Sequence, residues 1–564
     1  MSTEHPFFPK ILDLASGYSV RDLGRDLRAG LVVAAFAFPL CLAFGTATGL
    51  GPAAGLLTSI AAGFVASLFG GSRVQITGPT AIFIVVAAGI VAVHGAAGLV
   101  IATLVAGLLL VAFGALRLGP VLRFLPQPIL VGFTAGIAFT LVVSQVRDLA
   151  GFTVPWLVLD LFGRLNILVT HLGDVNFWAL GLGLATVVVV FVGDRWFPKI
   201  SWSLVVLVLA GAAVALLNLP VPTLSDAFGR LSLAIKPLDF SGITYHSVVQ
   251  LLPSAFTLAF LGAVESLLSA SVADGLIHDR HRPNTELVGQ GLANAASALV
   301  GGLPATGATG RTTINARWGA RSPLAGLAHS LVLFGVWAGL GFLAGSVPLA
   351  VLAGIVTSIA LGMVDFREFR LILKTTPADG LALGTTFLVT VAVDLAFAVI
   401  SGLLVALLFF VRGMAQSSHT VELGAKGGSS LDRHLTADLP PGTHVLDLNG
   451  AFFFGAAGKF EEAIRPLFNR AQTIVLRMDD VNLLDASGTR VLHRIFADAK
   501  ALRVRVVMSE VLPSVLKVME QAELIEALGP SNLFASFEGA LRDVRNRQPL
   551  VFATRGEEGC LDLV

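Results

Sequence analysis

From residue 29 to residue 416 the chain alternates long apolar runs with short segments that hold the few charges. A bilayer core of ~30 Å needs about 20 apolar residues per helix, and on that measure the pattern predicts fourteen spans. The third, over 75–93, and the tenth, over 306–320, each open inside a Gly/Thr/Pro stretch. After Pro440-Pro441 the pattern changes to that of a small α/β unit. Strands are predicted at 445–448, 473–478 and 504–508, and amphipathic helices around 458–470, 487–502, 511–521 and 535–546. Alternating strands and helices imply a sheet with helices packed on it. The predicted organisation is an N-terminal segment over 1–28, a transmembrane domain over 29–416, a linker over 417–440, a soluble domain over 441–548 and a tail over 549–564.

Charge placement orients the spans. Of the bases before residue 417, eighteen fall on the side of the N-terminus, and only Arg147, Arg164, Arg230 and Lys236 fall on the other. Such a positive-inside bias puts both termini, and the soluble domain, in the cytoplasm. The protein is then expected to be a multi-pass component of the inner (plasma) membrane.

Composition narrows the class. Over 564 residues, 55% are hydrophobic and 13% charged, against about 25% charged in soluble chains, which excludes a soluble enzyme and a disordered protein. The region 417–564 holds 19 of the 37 acids and 16 of the 38 bases, so the remainder is far too apolar for water. Net charge +1 gives no polyanion-binding surface, so no nucleic-acid partner is expected. Cys41 and Cys560 support neither a disulfide nor a metal site, and no cofactor is expected.

Two segments stand out. Gln75-Ile76-Thr77-Gly78-Pro79-Thr80 opens the third span and Pro304-Ala305-Thr306-Gly307-Ala308-Thr309 opens the tenth. Each is third in its half if the spans divide seven plus seven, which makes the halves inverted. Gly/Pro-interrupted segments at matching places in two halves point to a transporter binding site. A helix that begins inside the membrane presents free N–H groups and a partial positive charge, a setting for an anion. Thr77, Thr80, Thr306 and Thr309 add hydroxyl donors. Pro39 breaks span one. Arg311 and Arg317 are expected near the cytoplasmic face as orienting or snorkelling residues.

Glu265 is the only acid between Pro253 and Ala273, in the eighth span. A charged carboxylate there is costly, which suits a group that exchanges a proton; Ser269, one turn on, shares its face. A neutral, hydrogen-bonded Glu tying helices together is the alternative reading. Asp394, between the last two spans, is equally compatible with the outer surface.

Taken in order, Thr77-Gly78-Pro79-Thr80, Glu265-Ser266-Leu267, the run Glu286 to Asn294, the run Gly301 to Asn315 and Gly319 to Pro323 resemble SulP (SLC26-type) anion transporters. The C-terminal domain, with Asp485-Ala486-Ser487-Gly488, is similar to a STAS domain. The resemblance covers roughly 20–545. It implies an α-helical polytopic protein with fourteen helices in two inverted repeats, folded as a core and a gate domain, homodimeric, with a small α/β STAS domain behind. It also implies that the anion lies between the facing ends of spans three and ten, at Thr77, Gly78, Thr306, Gly307 and Ala308. Phe38 and Leu40 of span one and Glu265 and Ser269 of span eight would stand beside it. Many members have Gln where this chain has Leu40, so the substrate does not carry over. Sodium-using bicarbonate carriers have Asp at the Glu265 position. Glu here, and the run Phe452 to Ala457, look more like proton-coupled members that carry C4-dicarboxylates. The function implied is proton-coupled symport of a small anion, such as sulfate, bicarbonate or a C4-dicarboxylate, with Glu265 as the proton carrier.

In soluble STAS relatives the Ser of Asp-x-Ser-Gly is phosphorylated; Ser487 matches it, and as a plain alternative caps the following helix. A cytoplasmic partner at this domain is a further expectation. Two other classes stay open: a nucleobase/proton symporter of the same architecture, although Thr306-Gly307-Ala308 lacks the acid such carriers place there, and an anion channel or signalling scaffold whose output is the STAS domain.

Overall fold

The computed structural model describes residues 7–120, 126–152, 163, 166, 169–229, 245–393, 395–417, 419–423 and 438–547. Arg123, Arg164, Arg230, Lys236, Asp394, most of the 417–440 linker and the 549–564 tail lie outside the described residues.

The first unit, residues 1–405, is helical. Helix α1 (Val20–Ala47) starts at Ser19, whose hydroxyl accepts the Asp22 N–H. Pro39 lies inside it and cannot donate to the carbonyl four residues back; the Ser201 hydroxyl donates to that Ala35 oxygen instead, at 3.4 Å. Helix α2 (Pro52–Phe69) begins on Pro and packs on α1 closely enough that a Cβ at Gly55 would lie 2.0 Å from the Cys41 carbonyl. A two-residue strand, β1 (Thr77–Gly78), then leads into α3 (Ala81–Ala115). Helix α3 breaks at Gly95, whose φ of 69° only glycine adopts freely, so it comprises the third and fourth predicted spans.

Next come α4 (Gln127–Ala150), α5 (Phe177–Trp196), α6 (Trp202–Leu217), the short α7 (Leu224–Phe228), α8 (Tyr245–Ile277) and α9 (Pro283–Leu299). Strand β2 (Thr306–Gly307) precedes α10 (Thr309–Arg317), and α11 (Leu324–Leu340), α12 (Leu349–Met363), α13 (Phe366–Thr375), α14 (Pro377–Ala392) and α15 (Leu395–Ser417) follow. Helix falls on each of the fourteen predicted segments. Among the described residues eight helices are long and apolar enough to cross a membrane, and α6, α11 and α14 are shorter apolar helices. Helix α13 is an addition to the prediction, an amphipathic helix with Arg367, Arg370 and Lys374.

Packing divides the unit in two. Helices α1, α2, α3, α8, α9, α10 and α11 pack on one another, and α4, α5, α12 and α14 form a second set. Within the first set, β1 and β2 pair antiparallel, Thr77 opposite Gly307 and Gly78 opposite Thr306.

The second unit, residues 406–564, contains a five-stranded sheet. Strand β3 (His419–Leu423) pairs antiparallel with β4 (Thr443–Asn449); β5 (Thr473–Asp480), β6 (Arg505–Ser509) and β7 (Leu533–Phe534) continue in parallel. The segment read as linker thus supplies an edge strand. Helices α16 (Phe454–Ile464), α17 (Ala486–Ala501), α18 (Pro513–Gln521), α19 (Leu524–Leu528) and α20 (Phe537–Asn546) complete the unit. Alternation sets the two cores: Ile474 and Leu476 face Phe460, Leu492 and Met519, while Val475 faces Phe537 and Leu541.

Candidate functional site

The site is built where α3 and α10 begin. Neither helix start has a side-chain cap: Thr80 precedes α3 and Ala308 precedes α10, both in extended conformation. First-turn N–H groups at both ends therefore keep their capacity to bind an anion. The strand pair holds the two ends together. A Cβ at Gly307 would lie 1.4 Å from Gln75 Nε2, and one at Gly78 would lie 2.7 Å from an Arg311 guanidinium nitrogen, so an added side chain at either would have to displace the Gln75 amide or the Arg311 guanidinium.

Around the pair runs a brace of buried hydrogen bonds. Asn294 grips the Ala305 peptide from both sides: Nδ2 donates to its carbonyl (2.7 Å), and Oδ1 accepts its N–H (2.9 Å). Gln290 Nε2 donates to Thr77 Oγ1 (2.7 Å) and to Glu286 Oε1 (2.8 Å). Glu286 Oε2 accepts the Gly71 and Ser72 N–H groups at 2.8 and 3.0 Å. From α8, Ser266 Oγ lies 2.7 Å from Thr306 Oγ1 and accepts the Gly307 N–H at 3.1 Å.

The expected site residues fall into three groups. Thr77, Gly78, Thr306, Gly307 and Ala308 come together at the crossing. The Thr77 hydroxyl accepts from Gln290, the Thr306 hydroxyl donates to the Gly262 carbonyl at 3.0 Å, and the Ala308 N–H donates to the Ile76 carbonyl at 2.9 Å. Ser269 is fully buried and donates to Thr312 Oγ1 at 3.1 Å. Glu265 is half-buried and accepts from Thr80 Oγ1 at 3.1 Å. From α1, Leu40 packs among the apolar core, and Phe38 lines an apolar groove between α1, α6 and α11.

Of its two expected roles, orienting or snorkelling, Arg311 does not snorkel. It is 4% exposed, donating to the Pro79 carbonyl at 2.6 Å and to Ser59 Oγ at 3.3 Å. It acts electrostatically on Glu265, Cys41 and His329, and forms no ion pair among the described residues. A short polar half-helix carries it inward instead of letting it snorkel. Glu286 and Gln290, expected only as part of the run Glu286 to Asn294, brace the crossing through Gly71, Ser72 and Thr77, partners more than two hundred residues away.

In the second unit Asp485, not Ser487, caps α17. Its Oδ1 accepts the Ser487 and Gly488 N–H groups at 2.9 and 2.8 Å, and its Oδ2 accepts the Phe454 N–H at 3.1 Å. Ser487 is half-buried at the second position of the helix. No cluster of His, Cys, Asp or Glu suited to a metal occurs among the described residues.

Comparison with known proteins gives the family. The sulfate permease family profile matches residues 23–386, and a STAS domain profile matches 434–540. The putative sulfate transporter YvdB of Bacillus subtilis is 33% identical, over 92% of this chain and 97% of its own. The bicarbonate transporter BicA of Picosynechococcus is 29% identical, over 93% and 95%. The murine Slc26a9 anion transporter structure, only 17% identical, shares the fold with a TM-score of 0.84 over 96% of this chain and 94% of that one. With the family profile covering well over half of its length, this chain belongs to the sulfate permease (SulP) family, whose members are membrane anion transporters and not enzymes, and it ends in a STAS domain.

Proposed function

We propose that the protein is a secondary active carrier that moves one small anion together with a proton, with Glu265 taking the proton. One observation carries this reading: a buried arginine with no carboxylate partner among the described residues stands at the crossed helix starts, within electrostatic reach of the half-buried Glu265. With Glu265 ionised, its charge offsets that of Arg311. When Glu265 accepts a proton, the positive charge and the free N–H groups of α3 and α10 are left for the anion. Thr77, Gly78, Thr306, Gly307 and Ala308 form the cradle, Ser269 holds α10 through Thr312, and Leu40 walls the site from α1, whereas Phe38, expected beside it, faces the apolar groove toward α6 and α11.

The relatives carry names of sulfate and bicarbonate transporters, and the Glu at 265 favours a proton over sodium and keeps C4-dicarboxylates in the panel. Fourteen crossings in two inverted halves, cytoplasmic termini, residence in the inner (plasma) membrane and a homodimer complete the proposal. The STAS domain would then be open to a cytoplasmic partner, with Ser487 as its phosphorylation site.

Uptake into proteoliposomes tests the coupling. Sulfate, bicarbonate, succinate and fumarate compete for one saturable site, and an inward proton gradient accelerates uptake of the preferred anion. Uptake indifferent to the gradient, or gradient-driven uptake that survives Glu265→Gln, would refute the role of Glu265.

A further inference from the structure

Between α1, α6, α11 and the 344–347 segment lies a groove of about 470 Å³. Its walls include Ala34, Ala35 and Phe38 of α1 and Leu207, Gly211 and Ala215 of α6, and Ser346 is the only polar residue that lines it. Leu207 and Ala34 at its floor are 5% and 2% exposed, whereas Leu31 and Val208 at its rim are each 56% exposed. We propose that this groove is a lipid site that holds one acyl chain of a bilayer phospholipid.

Three physical arguments select that occupant. Water is excluded because an ordered water needs two to four polar partners, and the one carbonyl freed on this stretch of α1, that of Ala35, already accepts from Ser201. An empty groove is excluded because a dry apolar cavity of about 150 Å³ already draws in small hydrocarbons, and this one is about three times larger. The lining of α6 runs from Leu204 to Ala215, which at 1.5 Å per residue is about 16 Å. Finally, about 16 Å matches half of the ~30 Å hydrocarbon core, the depth of one leaflet. The groove follows the helix axes, as an acyl chain in that leaflet does.

The chain would lie beside the Pro39 break of α1, independently of which anion or ion the protein carries.

Photolabelling tests the site. The full-length protein is reconstituted in liposomes containing phosphatidylcholine with a diazirine midway along one acyl chain, irradiated and digested for peptide mass spectrometry. Adducts are expected on the floor residues Leu207 and Ala34 as well as on the outward-facing Leu209 and Leu216. Ala212→Trp fills the groove and lowers floor labelling by about tenfold or more, as expected when packing space is lost, while Leu209 and Leu216 label as before, which also reports that the fold persists. Ala215→Phe serves as the second filling variant. Adducts confined to Leu209 and Leu216, or floor labelling unchanged in both folded variants, would overturn the proposal.

Discussion

Glu286→Gln, normally a mild exchange, is expected to be severe here. Both carboxylate oxygens only accept: Oε2 takes the Gly71 and Ser72 N–H groups, and Oε1 takes the Gln290 amide. A glutamine amide has one oxygen and one NH₂ group, so either a donor faces a donor or Gln290 turns its amide over and leaves its own NH₂ group without a partner, around a residue that is 2% exposed. Hydrogen bonds to a charged group contribute about 1.5–3 kcal/mol, and an unsatisfied buried donor costs about 1–3 kcal/mol. The substitution therefore removes on the order of 3–5 kcal/mol. It also releases Gln290, which holds Thr77 in register with Gly307. The check is the thermal unfolding midpoint of the detergent-solubilised full chain, followed by tryptophan fluorescence, alongside anion uptake. Both should fall together. A Gln variant that unfolds at the parent's temperature would show that the brace does not hold the crossing.

Other sites give separable outcomes. Thr80→Val removes the hydroxyl that donates to Glu265 and should change the pH dependence of uptake with little change in unfolding temperature; an unchanged pH profile would count against the pair. Gly307→Ala places a methyl on the Gln75 amide and should abolish uptake, and near-normal uptake would show that the strand pair yields easily. Asp485→Ala removes the cap of α17 and the Phe454 contact; the excised C-terminal domain should lose about 0.5–2 kcal/mol, whereas Ser487→Ala should cost far less. Burial pushes the Asp479 carboxyl up, Arg477 pulls it down, and Asp447, Asp480 and Glu510 add to the rise, which prevails. The folded domain thus holds that proton more tightly than the unfolded chain, a cost that is present at neutral pH and relieved in acid. Asp479→Asn should raise the unfolding temperature at neutral pH with a gain that fades in acid, and a lowered temperature at neutral pH would contradict the sign.

The apolar runs marked where helices form because burial in lipid or in a helical core needs only composition and length. The breaks before α3 and α10 were visible because glycine and proline act locally. The burial of Arg311 is not legible locally, since it depends on the Pro79 carbonyl and Ser59, which reach it from distant parts of the chain. Helix α13 was overlooked although its signal is local: Phe366, Phe369 and Ile372 share one stripe, with Arg367 and Arg370 beside it. Strand β3 is five residues long, and its pairing with β4 is what defines it, so a linker was the natural reading.

Saturation of polar groups separates two kinds of residue at the crossing. Asn294, Ser266, Ser269 and Glu286 spend their hydrogen bonds on backbone or side-chain partners within the fold. The helix starts of α3 and α10 lack side-chain caps, and the half-buried Glu265 carboxyl accepts from Thr80 alone among the described residues. A saturated group cannot bind a passing ion without giving up a bond that holds the fold, whereas an unsaturated one can. Substitutions in the first group should therefore lower stability and transport together, and those in the second should lower transport alone. Measuring both quantities for Asn294→Ala and Glu265→Gln decides this: a stable but inactive Asn294 variant, or an unstable Glu265 variant, would mean that the brace and the ion site are not distinct.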